Sequence, residues 1–170
     1  PRPFRLFVFS CRLPLHTAEK AVWGGGGGWG DGRRLDGTGA GWQVKMYPDG
    51  HDRLESVEKG RFVALYMHCT TPRGAPPGWC CRAIGAFAAL GADPPAGSAL
   101  AAAPPPLQRP QCWGGERPDS LFVFDGTKAR NRGNSKWFAR AQLDAGGYVD
   151  ARGWLTVRAL VAQEPAPCAA

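Results

Sequence analysis

The sequence predicts an all-β fold of antiparallel strands, and three observations support this prediction. In residues 155–161 every second residue is apolar, the period of a strand with one face on a core: Leu155, Val157, Ala159 and Val161. Residues 61–69 alternate in the same way. A Pro-Asp-Gly turn signal at 48–50 separates this second run from the β-rich residues 41–47. Alternating runs flanking a turn are typical of antiparallel sheets.

Length and composition indicate one folded domain. A chain of 170 residues buries about 70% of its unfolded surface, which is enough for a hydrophobic core. Hydrophobic residues make up 44% of the chain and aromatics 11%, which excludes a fully disordered chain. We place the domain at residues 1–163. Residues 164–170, EPAPCAA, are interpreted as a C-terminal linker.

Further strands are predicted from runs of β-forming residues. Residues 3–13 form a first strand, with Phe4, Leu6 and Val8 on one side. Residues 120–124 form a compact strand. Residues 78–90 are consistent with a strand or a pair of strands. Their alanines are equally compatible with a helix, because periodicity in a short apolar run does not separate the two.

Three segments of biased composition are predicted as loops. Residues 21–41 are rich in glycine, and residues 92–118 form a long insertion rich in proline and alanine. The glycine run does not predict phosphate binding, because no Gly-x-x-x-x-Gly-Lys-Ser/Thr motif is present and no amphipathic helix follows it. Residues 125–136 form a third loop with clustered Lys and Arg, interpreted as a solvated charge cluster.

The sequence lacks the motifs of the hydrolase classes, so we expect no catalytic residues. It contains no Gly-x-Ser-x-Gly, no His-Glu-x-x-His and no cysteine-protease signature. Asp49 and Asp150 lie at turn positions, where Asp is favoured for backbone reasons. Cys69 follows His68, but successive residues of a strand point to opposite faces, so the two do not form a nucleophile and base pair.

Cysteine spacing predicts neither a metal site nor a cofactor. The six cysteines contain no Cys-x-x-Cys pair, and Cys80 and Cys81 are adjacent, which suits neither zinc nor an ordinary disulfide. We therefore expect free thiols in a reducing compartment, either the cytoplasm or the nucleus. No apolar run approaches the length of a membrane-spanning helix, so we expect no membrane association. Because the chain does not begin with Met, it is interpreted as a fragment.

Two blocks of the sequence resemble the MATH domain (meprin and TRAF homology, the TRAF-like family). The first is an aromatic-led strand ending in YPDG at 47–50, followed after a charged loop by VALY at 63–66. The second is KWFARAQLDAGGYVDARGWLTVRALV at 136–161, which is similar to the closing pattern of the family. Both blocks occur in the family's order. The pattern is closest to that of the MATH-BTB ubiquitin-ligase substrate adaptors.

This resemblance implies a fold, a function and a set of site residues. The implied fold is a sandwich of about eight antiparallel strands, here with long Gly-rich and Pro/Ala-rich loop insertions. The implied function is to bind an extended peptide of a protein partner in a groove across one sheet. The adaptors recruit substrates for ubiquitination, through a cullin-type ligase held by a domain outside this chain. Carried over position by position, the peptide-binding residues are Tyr66, Phe87, Phe124, Arg132, Gly133 and Asn134.

The sequence departs from the adaptors at one wall of this groove. Where they have Asp-Trp-Gly-Phe, this chain has Asn-Arg-Gly-Asn at 131–134, so an aromatic wall becomes basic and polar. Arginine pairs with carboxylate and phosphate groups, so we expect acidic peptides in place of the Ser/Thr-rich degron of the adaptors. The aromatics Tyr66, Phe87 and Phe124 are equally explained as packing residues.

Two other functions remain open. The sandwich is also compatible with a structural scaffold that oligomerises without a peptide groove. The basic residues 128–136 are compatible with polyanion binding. The sequence argues against a nucleic-acid partner, because the net charge of +7 is spread along the chain and the basic loop has no interleaved aromatic to stack on bases.

Overall fold

The structure is a computed structural model that describes residues 4–25, 41–51, 55–70, 77–92, 106–108, 121–125 and 131–164. Parts of the three predicted loops, at 26–40, 93–105, 109–120 and 126–130, lie outside the described residues. The predicted linker lies outside them from residue 165 onward.

The described chain is almost entirely β-structure. The strands are β1 (Arg5–Pro14), β2 (Val22–Gly25), β3 (Gly41–Tyr47), β4 (Phe62–Thr70), β5 (Cys81–Leu90), β6 (Leu107–Gln108), β7 (Phe122–Phe124), β8 (Asn131–Ala139) and β9 (Trp154–Gln163). A 3₁₀ helix, Ser56–Glu58, precedes β4, and one short helix, α1 (Arg140–Ala145), follows β8. All the strand pairs are antiparallel.

The strands form two sheets. In the first, β9 lies between β1 and β5, and the short strands β6 and β7 pair with different parts of β5. In the second, the order is β2, β3, β4, β8. The predicted all-β antiparallel sandwich is therefore confirmed. Its first and last long strands are neighbours, since Arg5 lies opposite Gln163 and Pro14 opposite Trp154.

The core lies between the two sheets. The predicted alternation is confirmed in β9, where Leu155, Val157, Ala159 and Val161 are buried, and in β4, where Val63, Leu65 and Met67 are buried. Aromatic pairs join the sheets: Trp42 of β3 packs edge to face on Phe124 of β7, with ring centroids 5.1 Å apart, and Phe87 of β5 packs on Trp137 of β8.

Several elements differ from the sequence predictions. The segment predicted as a glycine-rich loop over 21–41 begins with β2, and the insertion over 92–118 contains β6. The basic segment 125–136 is not a loop throughout, because β8 begins at Asn131. Within residues 78–90, where a strand and a helix were both compatible with the sequence, the structure has the strand β5 over Cys81–Leu90.

Helix α1 was not predicted, although its residues RAQLDA include good helix formers. It anchors itself to the core through the fully buried Leu143. It ends at Gly146, whose N–H donates to the carbonyl of Gln142 at 3.0 Å, and Gly147 follows with φ of 74°.

Candidate functional site

Two of the six predicted site residues lie in the core. Phe87 and Phe124 are buried, with 5% and 0% of their surface exposed, and each packs against an aromatic of the opposite sheet. A side chain enclosed in this way does not line an open groove. The alternative interpretation, that these aromatics are packing residues, describes both positions.

Tyr66 lies on the outer face of the four-stranded sheet and is half-buried. Its neighbours in β4, Leu65 and Met67, point into the core, so the alternation of the strand turns Tyr66 outward. Its ring lies near two others, with centroids 5.7 Å from Tyr47 and 5.1 Å from His51.

Gly133 lies directly opposite Tyr66 in the pairing of β4 with β8. A Cβ at this position would stand 1.9 Å from the carbonyl oxygen of Leu65 and 2.5 Å from the Cα of Tyr66. The two backbones thus approach more closely than any other residue type permits. Gly133 therefore lets β8 lie close against β4 beside Tyr66.

Arg132 and Asn134 take the opposite orientation in the register of β8. Their partners across the pair, Met67 and Leu65, are inward-facing residues. The Arg132 guanidinium lies over the ring of Phe122 in β7, 4.4 Å from its centroid. Arg132 therefore spans the end of the space between the sheets, from β8 of one to β7 of the other.

A bulge in β8 separates these polar residues from the core residues that follow. Val63 pairs with Phe138 and Leu65 pairs with Asn134, so Ala64 alone stands against residues 135–137. Within this stretch the Oδ1 of Asn134 accepts a hydrogen bond of 2.8 Å from the N–H of Lys136. After the bulge, Trp137 and Phe138 are both buried.

The basic cluster expected over 128–136 is partly engaged in contacts within the protein. Lys136 Nζ forms an ion pair with Glu58, and it also lies 5.6 Å from the centroid of the Phe62 ring. Arg132 packs on Phe122. The remaining basic residues of the cluster lie outside the described part of the chain.

An aromatic and cationic cluster that was not predicted from the sequence lies on the outer face of β2 and β3. Trp23 is 48% exposed, and its ring packs edge to face on His68, with centroids 5.2 Å apart. Lys45 Nζ lies 4.8 Å from the centroid of Trp23 and 4.8 Å from that of Tyr47. The alternation of β3 in the sequence could have predicted this cluster. Val44 and Met46 are buried on one face of the strand, so Lys45 and Tyr47 lie on the other face.

Phe122 was also not predicted as a site residue, although Phe124, two residues later, was. The two side chains lie on the same face of β7, with ring centroids 4.9 Å apart, but Phe122 is only half-buried. Phe122, which contacts Arg132, is therefore the accessible aromatic of this strand.

A cavity of about 410 Å³ lies away from the predicted site residues. It is lined by Arg12, Leu90, Asp150, Trp154 and their neighbours. Arg12 and Asp150 form an ion pair within it, so their charges compensate each other. The Arg12 guanidinium also lies 5.6 Å from the centroid of the Trp154 ring.

The cysteines that the structure describes are buried and form no disulfide: Cys11, Cys69, Cys80 and Cys81. Burial raises the pKa of the Cys11 thiol to about 12, so it stays protonated at neutral pH and is a poor nucleophile. Cys112 and Cys168 lie outside the described residues. Within the described ranges, no three His, Cys, Asp or Glu side chains are grouped so that they would share a metal ion.

Comparison with models of known protein families gives no match, and comparison with curated protein sequences gives none. Among the described residues, no helix has the length and apolar character needed to cross a membrane.

Proposed function

We propose that this chain is a protein-interaction module of the MATH type, which binds an extended peptide of a partner along the open edge of β8. The observation that carries the proposal is the pairing of Gly133 with Tyr66. It places Tyr66, half-buried and facing outward, one strand away from the edge strand β8. The β-sandwich fold and the two sequence blocks that resemble the family support the same proposal.

The edge of β8 is suited to strand addition. β8 is the last strand of its sheet, and within the described ranges its outer edge pairs with no other strand. Such an edge presents backbone N–H and C=O groups, and an extended peptide satisfies them by joining the sheet as a further strand. Main-chain hydrogen bonds then supply sequence-independent affinity.

The two flanks of this edge provide the specificity. Alternate side chains of an added strand point to opposite faces of the sheet. Those on the outer face pass the Gly133 position and contact Tyr66. Those on the inner side meet the Arg132 and Phe122 pair, which offers a guanidinium backed by an aromatic ring. A carboxylate or phosphate on the peptide accepts hydrogen bonds from that guanidinium.

The ligand of this site is accordingly an acidic or phosphorylated extended segment. By resemblance to the MATH-BTB adaptors, the module recruits its partner for ubiquitination, with a domain outside this chain joining it to a cullin-type ligase.

A peptide array tests this function. The purified domain is screened at about 50 and about 200 mM salt, together with Tyr66→Ala and Arg132→Gln. We expect a defined extended motif that survives high salt. Tyr66→Ala should weaken binding at least about 5-fold, as loss of a contact of more than 1 kcal/mol does. Arg132→Gln should weaken binding of the acidic peptides only.

Two variants serve as controls. Trp154→Ala removes an exposed aromatic of the other sheet, and Arg152→Ala removes an exposed cation from a turn. Both should bind as the parent does. Binding that Tyr66→Ala leaves unchanged, or an array that shows no preference for acidic peptides, contradicts the proposed site.

A second function, as an oligomerising scaffold, is favoured by the outer face of the five-stranded sheet. Leu6, Val8 and Leu160 are 62%, 55% and 39% exposed, and Val8 lies directly opposite Leu160. Contiguous exposed apolar residues mark interaction surfaces, and a second copy of this chain is the occupant we consider.

Light scattering during size-exclusion chromatography tests the scaffold function. A dimer that Val8→Asp dissociates, while Val57→Asp at an isolated exposed valine does not, supports it. A monomer at every concentration contradicts it.

A further inference from the structure

The outer face of the four-stranded sheet brings together aromatic and cationic side chains that are far apart in the sequence. Trp23 of β2 lies opposite Lys45 of β3, and Lys45 lies opposite Tyr66 of β4. This row alternates aromatic, cation and aromatic across three strands. Strand pairing therefore places aromatic and cationic side chains next to each other on this face. The basic segment 128–136 has no such alternation of aromatics and cations along the chain.

Ring contacts extend this row into a continuous aromatic surface. At one end Trp23 packs on His68, and at the other Tyr47 packs on Tyr66. Lys45 Nζ lies 4.8 Å from the centroids of both Trp23 and Tyr47, so it joins the two groups. Since neighbouring strands lie about 4.8 Å apart, the row from β2 to β4 spans about 10 Å.

The charge that the structure describes on the outward-facing positions of these strands is that of Lys45. Among the described outward-facing positions of β2, β3 and β4, and in residues 131–133 of β8, there is no Asp or Glu. The carboxylates that the structure describes nearby are paired with cations, Glu58 with Lys136 and Asp49 with Arg140. The whole chain carries a net charge of +7. An anionic ligand with flat apolar faces is complementary to such a surface.

We propose that this face binds single-stranded nucleic acid, with bases stacking on Trp23 and Tyr47 and the phosphate backbone passing Lys45. Four-stranded sheets with exposed aromatics stack two or three bases in this way in some RNA-binding domains. Polar side chains flank the platform, since Gln43 lies opposite His68 and His68 opposite Asn131. The Oδ1 of Asn131 is hydrogen-bonded to the Nδ1 of His68 at 2.5 Å, and the Gln43 amide is suited to hydrogen bonds with base edges.

This surface borders the peptide site, and the two share Tyr66. It uses the faces of rings on β2 and β3, whereas the peptide site uses the edge of β8. The order of residues along the chain argues against a nucleic-acid partner, whereas the pairing of β2, β3 and β4 favours one.

Fluorescence anisotropy with labelled single strands tests the proposal. The probes are oligouridylate and oligodeoxythymidylate of about 12 nucleotides, with a duplex of the same length for comparison. Trp23→Ala and Tyr47→Ala should each weaken single-strand binding about 5-fold or more, the fold-change for loss of stacking on one base. Trp23→Phe retains a ring and should recover most of the affinity. Lys45→Gln should reduce the slope of log affinity against log salt by about 0.7.

Matched controls separate this surface from a general effect of charge or aromatic content. Trp154→Ala removes the exposed Trp of the other sheet, and Lys59→Gln removes an exposed cation beyond the 3₁₀ helix. Both should bind as the parent does. The duplex should bind more weakly, because its base faces are hidden.

Three outcomes overturn the proposal. The first is no binding of either single strand at about 50 mM salt. The second is equal affinity for single strand, duplex and a heparin fragment, with Trp23→Ala unchanged, which is the behaviour of a polyanion surface. The third is an equal loss of binding in Trp23→Ala and Trp154→Ala. Because the experiment avoids Tyr66 and Arg132 variants, its failure leaves the peptide site untouched.

Discussion

The Trp42 indole donates a hydrogen bond of 3.1 Å from Nε1 to the Oε1 of Gln163 within the interior of the sandwich. Trp42 belongs to β3 of the four-stranded sheet, and Gln163 ends β9 of the other sheet. Among the described residues, Gln163 is the only buried one whose side chain is an amide or a charged group. Buried polar groups of this kind are tolerated only when they are hydrogen-bonded, so this bond fixes the relative position of the two sheets.

Replacing Gln163 with Met keeps the volume but removes this acceptor from the indole. We expect a loss of about 1–3 kcal/mol in the free energy of unfolding, the cost of weakening a buried polar contact. Urea denaturation measures it. Gln142→Met, at an exposed position of α1, should change stability by less than about 0.5 kcal/mol. Equal effects of the two substitutions would show that the buried bond contributes nothing.

Adding a methyl group at Gly133 should separate β8 from β4. The new Cβ falls on the Leu65 carbonyl, so the strands must move apart at a cost of about 1–3 kcal/mol. Hydrogen exchange should accelerate in β8 while the amides of β1 and β9 stay protected. Gly60→Ala is the comparison, since its Cβ meets open space and only its φ of +76° is unfavourable. Uniform acceleration across both sheets would contradict a local cause.

Acid should destabilise the turn that leads into β9. The pKa of Asp150 is lowered from 3.8, first by the hydrogen bond from the Trp154 N–H, then by the Arg152 N–H and by Arg12. A carboxyl with a lowered pKa in the folded state stabilises the fold above its unfolded pKa. That stabilisation is lost as the pH falls through the folded pKa.

The test is the melting temperature followed from pH 6 into the acid range below 3.8. Asp150→Asn should flatten the acid decline that this group causes, whereas Arg12→Gln should keep most of it, because the largest cause is a backbone hydrogen bond. If Arg12→Gln abolishes the acid decline in melting temperature and Asp150→Asn preserves it, the decline is not caused by the hydrogen bond from the Trp154 N–H to Asp150.

Cys11 should resist alkylation in the folded protein. Its thiol is buried and its pKa is raised from 9.0 to about 12, so little thiolate forms at about pH 8. Peptide mapping after iodoacetamide treatment should show labelling of Cys11 only when urea unfolds the chain. Because the unfolded thiol ionises first, stability should fall as the pH rises from 9 towards 12. Equal labelling rates in folded and unfolded protein would contradict this burial.

The long strands of the fold follow from local sequence. Alternation alone identifies β4 and β9, because each has one face on the core and side chains in a strand repeat every two residues. The elements that were not predicted lack this alternation of apolar and polar residues. β2 is VWGG, where glycines carry no side chain to alternate, and the start of β8 is NRGNSK, a polar edge interrupted by a bulge. α1 has six residues, too few for a helical period.

Only part of the candidate site could be predicted from the sequence. The outward position of Tyr66 follows from the alternation of β4. The burial of Phe87 and Phe124 does not, because it depends on the aromatics that the opposite sheet places against them. The contact of Arg132 with Phe122 and that of Lys45 with Trp23 join different strands. They are set by register, which a single sequence does not display.

The pairing of β1 with β9 has a consequence for how the chain folds. Within the described ranges β1 has no other strand partner, and the paired residues Arg5 and Gln163 are separated by almost the whole domain. Closing so long a loop is slow, since its entropic cost is met before any contact forms. On the ribosome, β1 therefore has no strand to pair with until β9 has been synthesised. Until then Phe7 and Phe9 are exposed to water. An unpaired strand with exposed apolar side chains is prone to aggregation, so this interval is the one in which the nascent chain is most vulnerable.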